Sequence, residues 1–179
     1  MTNKSTKPTI KLSSNKLIEI RDSLIQEIKK YWYYIRIENV TDMDYKRMYD
    51  IKYLYNAILD KEKKLIKIKL LIQCINMGLK SLSELNENSS YNTIYELSAK
   101  KEHYEQLQQI PTLNPFLTKK LKKMKVKPTK TEILTQSFIK DKMDTLNKDI
   151  LMLRNKLEKF NEQASIEVEV DSDEAALIV

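Results

Sequence analysis

Apolar residues recur along this chain in steps of three and four, the spacing that keeps one face of an α-helix apolar. Four stretches show it. Leu17, Ile20, Leu24, Ile28, Tyr31 and Ile35 mark the first, which the cap-type residues Ser13, Ser14 and Asn15 open and which weakens around 38–41. The second is the most regular: Ile51, Leu54, Ile58, Lys61, Leu65, Ile68, Ile72, Ile75 and Leu79 alternate steps of three and four, and only Lys61 interrupts the apolar run. That is a coiled-coil period of 3.5. Thr41 and Asp44 have capping-box spacing ahead of it, so a helix is expected from Asp42 to Met77, roughly 50 Å long. Gly78, the sole glycine, stands where a left-handed residue closes a helix.

Ser81 to Thr93 is polar and reads as a loop with a turn of helix at 82–85. A third helix then carries Ile94, Leu97, Tyr104, Leu107 and Ile110, is capped by Asn92 or Thr93, and stops at Pro111. The fourth carries Ile139, Met143, Leu146, Ile150, Leu153, Leu157, Phe160 and Ala164, with Thr129 and Glu132 as its expected capping box. Its seam is expected to pack against the second. Between the third and fourth helices the pattern fits either a short strand over 122–127 or a short basic helix over 116–124. The fold class is therefore all-α: an antiparallel helical bundle with long coiled-coil helices and room for a small β ribbon near 122–127. Residues 1–12 read as a flexible basic arm, 13–164 as the helical domain and 165–179 as an acidic tail.

The order of elements resembles the septicolysin-like family of small bacterial coiled-coil proteins. A long helix comes first, then Ser81-Leu82-Ser83-Glu84-Leu85. A helix with Glu96-Leu97-Ser98-Ala99-Lys100-Lys101 follows, then a basic segment and a last helix with Leu146-Asn147-Lys148-Asp149-Ile150. The resemblance spans about 17–163 and implies topology alone. The family name implies a pore-forming toxin, and this sequence offers no apolar hairpin for a pore.

Composition narrows the chemistry. Of 179 residues, one is Gly, one Cys and one His. One glycine cannot build a Gly-rich phosphate loop, and one Cys with one His cannot build a Cys/His zinc site. His103 lies one position before the stripe residue Tyr104, at the seam edge or in solvent, with no partner in sequence for general-base work. Cys74 reads as an inert, partly buried thiol; a lone cysteine fits a reducing compartment. No metal, cofactor or catalytic group is expected, and the chain reads as a non-enzyme. No apolar run reaches the length of a membrane span, and residues 1–12 lack the apolar core of a secretory signal. The expected location is cytoplasmic, or virion-associated for a viral gene.

Charge adds two candidate surfaces. The chain carries +7, although Ser165 to Val179 hold five acids and no base. The lysines concentrate in Lys119, Lys120, Lys122, Lys123, Lys125, Lys127 and Lys130, a segment without an acid. Lysine there suits phosphate contact without base reading, so nucleic acid or another polyanion is one candidate partner and the chain's own acidic tail another. Tyr31-Trp32-Tyr33-Tyr34 holds more aromatics than one helix face can bury. Trp32, Tyr33 and Tyr34 are either a thick core or a partner surface. Together these features point to a structural or assembly protein, a phage or bacterial accessory component, acting through coiled-coil packing and self-association. The alternative is a nucleic-acid-binding accessory protein using 119–130.

Overall fold

A computed structural model describes residues 11–164, apart from the side chains of residues 87 and 88; the acidic tail and most of the basic arm lie outside the described residues. Six helices and two short strands follow in the order α1 (Ser14–Glu38), β1 (Val40–Asp42), α2 (Ile51–Asn76), α3 (Leu82–Asn88), α4 (Tyr91–Gln108), α5 (Pro115–Lys123), β2 (Lys130–Glu132) and α6 (Gln136–Gln163). The fold is an all-α bundle with a small antiparallel ribbon.

Side-chain caps fix most of the helix starts. The Ser13 hydroxyl accepts from the Lys16 amide, the Asp50 carboxylate from Tyr53, Ser81 from Glu84, Asn114 from Phe116 and Thr135 from Phe138. Gly78 has φ +67. Its amide donates to Ile75 O and the Leu79 amide to Cys74 O, which is the paired closure expected of a left-handed residue after a helix.

Three expected helix starts move, the third helix by the least: α4 begins at Tyr91 after Ser90, so the expected caps Asn92 and Thr93 lie inside it. The second helix begins at Ile51 and not at Asp42. The Glu38 carboxylate accepts the amides of Met48 and Tyr49 at 3.0 and 3.1 Å, and the Arg47 guanidinium donates to the carbonyls of Glu38, Asn39 and Thr131. These bonds draw 43–49 into a loop, and Asp50 caps in place of Thr41. The fourth helix begins at Gln136, because Lys130–Glu132 is a strand and Glu132 accepts the Leu113 amide at 2.7 Å. The ribbon accordingly lies away from 122–127. Val40 pairs with Glu132, Thr41 with Thr131 and Asp42 with Lys130; residues 115–123 are the short basic helix.

Helix pairing also departs from the expected topology. α2 lies along α1 and α6 along α4, with α4 leaning on α2. The two long seams thus face other helices before each other. The connection between α1 and α2 and the connection leading into α6 meet in the ribbon, so the C-terminal ends of α1 and α4 and the N-terminal ends of α2 and α6 gather at one end of an antiparallel bundle.

The main core sits at that end. Trp32, Ile35, Ile51, Ile58, Leu107 and Ile139 are buried together there. A smaller cluster of Leu70, Cys74 and Leu85 packs α3 on the far end of α2, and Leu97, Ile150 and Leu153 join α4 to α6. Along α2 the buried positions run Ile51, Leu54, Tyr55, Ile58 and Leu65, then step five residues to Leu70 and on to Cys74, while Ile68 and Ile72 are half-buried and Ile75 is exposed. A straight helix drifts off a 3.5 repeat, and the far half of α2 turns toward α3.

Candidate functional site

The lysine segment is the feature that the bundle leaves most open. Asn114 caps α5 and Pro115 occupies its first turn, where a missing amide costs nothing. α5 buries none of its residues. All seven lysines of the segment are exposed, and among the described residues none has an ion-pair partner. Both flanks of the segment are fixed, by the Leu113–Glu132 bond on one side and the Lys130–Asp42 pairing on the other. The helix ends on Lys125 at φ 56, with the Lys125 amide donating to Lys122 O and the Val126 amide to Leu121 O. Glycine would hold that left-handed position with less strain; here a lysine holds it.

The alternative partner of these lysines, the chain's own acidic tail, lies outside the described residues. α6 starts beside the ribbon and carries Ala164 away over 28 residues, roughly 42 Å.

The aromatic run divides. Trp32 is buried, with Tyr55 and His103 rings edge-on at 6.1 and 5.1 Å. It belongs to the core, which corrects its place in a partner surface. Tyr34 is half-buried and stacks on Tyr49 at 4.0 Å, while Tyr33 is exposed beside it. Ile37, Met48 and Tyr53 are exposed in the same neighbourhood, one helical turn or one residue from these rings. An apolar, aromatic strip therefore remains on the outside of the α1–α2 hairpin.

His103 is 3% exposed, against the expected place at a seam edge or in solvent. Both Glu62 oxygens lie 2.9 Å from its Nδ1, and the Tyr55 hydroxyl lies 3.3 Å from its Nε2. A carboxylate only accepts, so Nδ1 carries the proton, and in the neutral ring Nε2 accepts from Tyr55. Both ring nitrogens are engaged, and α2 and α4 are tied through one polar chain. A cleft of about 250 Å³ opens beside this chain between α2, α4 and α6, with Lys63, Lys100 and Lys142 on its walls. Lys100 also holds Asp149 of α6 at 2.7 Å. Among the described residues, no group of three or more His, Cys, Asp or Glu side chains could hold a metal ion. Cys74 is buried 3.5 Å from Ser81 O, and burial first, then the Glu84 charge, pushes its thiol up.

Burial first, and the Glu62 charge second, push the Tyr55 hydroxyl up to about 12. The unfolded chain ionises tyrosine near pH 10. Between about pH 10 and 12 the unfolded state therefore holds fewer protons than the folded one, and the stabilisation from neutral Tyr55 is lost as pH rises. Thermal melts from about pH 9 to 11.5 should fall more steeply for the native protein than for Tyr55→Phe, which has no hydroxyl to ionise. Parallel slopes would show that Tyr55 is not shielded.

The chain matches no family model, no curated protein and no solved structure.

Proposed function

We propose that this protein is a non-enzymatic assembly protein: a helical bundle that carries α5 toward a phosphate-rich partner and self-associates through the outer face of the α1–α2 hairpin. The observation that carries the reading is the set of seven exposed lysines on a segment that buries nothing and whose flanks are fixed to the bundle. The long helices interleave acids with their lysines, and some of these pair. On α1, Lys16 pairs with Glu19 and Arg21 with Asp22, and between α1 and α2 Lys61 pairs with Glu27. The lysine segment contains no acid to pair in that way.

Lysine is a point charge without the bidentate fork of arginine. Contacts should therefore be to phosphates and indifferent to base sequence. Fluorescence anisotropy with labelled oligonucleotides of about twenty residues tests this. With four lysines engaged, affinity should be alike for unrelated sequences and fall with a log–log slope of roughly −3 to −4 between about 50 and 200 mM salt. Sequence-selective binding would point to another surface.

Self-association rests on a separate observation, the exposed strip around Tyr33, Ile37, Met48 and Tyr53. Aromatic and Met side chains are enriched at interface cores. Light scattering at about 10 to 100 µM should give at least a dimer, and Tyr33→Lys with Tyr53→Lys should return it to a monomer, since like charges facing across a two-fold contact repel. A native monomer throughout that range would remove self-association and leave the basic segment.

A further inference from the structure

The lysines are only one side of α5. Leu117, Leu121 and Met124 stand at i, i+4 and i+7, on one face of the helix and its last turn. Leu117 and Met124 are exposed and Leu121 is half-buried. Phe116 flanks them at 81% exposure, among the most open large apolar residues of the described chain. Lys119, Lys122 and Lys123 take the opposite face. α5 is thus amphipathic in the ordinary sense, but its apolar stripe is covered only in part, with Leu117 and Met124 left exposed on either side of Leu121.

A partner must account for both faces. A nucleic acid repays the lysines and leaves Leu117, Leu121 and Met124 in water; Phe116 is the one ring on the helix that could stack on a base. An anionic bilayer repays both at once. Ammonium groups reach lipid phosphates along their flexible stems, while the leucines, Met124 and Phe116 enter the boundary between headgroups and acyl chains. None of the described helices is long and apolar enough to cross a membrane, so the helix would lie in the surface. The ribbon supports this mode, because it fixes both flanks of the segment and leaves the helix between them to meet a plane.

We propose that α5 docks the bundle on an anionic lipid surface, with Phe116, Leu117, Leu121 and Met124 inserted and the lysines on the phosphates. The proposal rests on the reading of the lysine segment as a polyanion site and names the partner.

The test is co-sedimentation of the full chain with vesicles of mixed phosphatidylglycerol and phosphatidylcholine, and with phosphatidylcholine alone, run beside the oligonucleotide assay. The native protein should bind the anionic vesicles and not the neutral ones. Leu117→Gln with Met124→Gln alters two exposed side chains. It should weaken vesicle binding about tenfold or more through lost apolar insertion and leave oligonucleotide binding unchanged. Replacing Lys119, Lys120, Lys122 and Lys123 with Gln should abolish both. For insertion itself, Phe116→Trp should be quenched by brominated lipid, while Trp32, being buried, is not. Equal vesicle binding by the Leu117/Met124 variant, or no quenching, overturns insertion. Oligonucleotide binding without vesicle binding overturns the lipid proposal and keeps the polyanion reading. Failure to bind either removes both.

Discussion

Replacing Asn39 with leucine should lower the melting temperature by roughly 10 °C, because three backbone groups from two distant segments would lose their partner together. Asn39 follows α1 and is 0% exposed. Its Nδ2 donates to Pro111 O at 2.8 Å and to Leu134 O at 2.9 Å, and its Oδ1 accepts the Leu134 amide at 2.7 Å. Its own carbonyl accepts the Ile133 amide. The end of α1, the exit from α4 and the entry to α6 therefore meet on one amide. Leucine has nearly the same shape and none of these bonds. It leaves a buried N–H and two carbonyls unpaired, each worth about 1–3 kcal/mol, so a total of at least about 3 kcal/mol is expected. At about 2–4 °C per kcal/mol for a chain of this size, that gives the stated fall. Asn147→Leu, on the exposed face of α6, is the control and should change little. A melting temperature for Asn39→Leu within about 2 °C of the native protein would mean that water or rearrangement satisfies these groups.

The contrast between Asn39 and the apolar seams shows what could be read in the sequence. A helix announces itself by side chains that repeat, and all four long helices were legible on that basis. The small ribbon was legible only as a possibility of the composition, at 122–127. Its true strands, Val40–Asp42 and Lys130–Glu132, are three residues each and ninety apart, too short to show a period. Asn39 and Glu38 bond mainly to backbone amides and carbonyls, which every residue carries. No residue type 70 to 95 positions away marks the partner. Capping-box spacing at Thr41/Asp44 and Thr129/Glu132 misled for the same reason: Glu38, Arg47 and Glu132 bind backbone across the fold and override the local signal. His103 lies off the apolar stripe and looked solvated, whereas Glu62 and Tyr55 are placed to pair both its nitrogens. A polar residue can be buried at a seam when the facing helix supplies its complement, and 41 residues of separation hide that. The lysine segment was legible as charge. That its helix leaves Leu117 and Met124 exposed was not, since the Leu117, Leu121 and Met124 spacing equally suits a helix packed on the core.

Three substitutions along one seam should give three different results, although the sequence pattern treats them alike. Ile58 is 0% exposed among Ile35, Trp32 and Leu107 in the main core. Ile58→Asp removes a buried side chain and places a carboxylate where no cation answers it, which should cost more than about 4 kcal/mol and unfold much of the protein near 37 °C. Ile68 is half-buried, and Ile68→Asp should cost about 1–2 kcal/mol as its carboxylate turns to solvent. Ile75 is 43% exposed at the far end of α2, and Ile75→Asp should stay within about 0.5 kcal/mol. Urea melts followed through Trp32, the sole tryptophan and a member of the main core, read the global transition directly. The graded order follows from α2 turning its buried face toward α3 beyond Leu65. If Ile75→Asp proved as damaging as Ile58→Asp, the whole 3.5-residue seam would be buried, and the exposed far half of α2 would have to be covered by a second molecule.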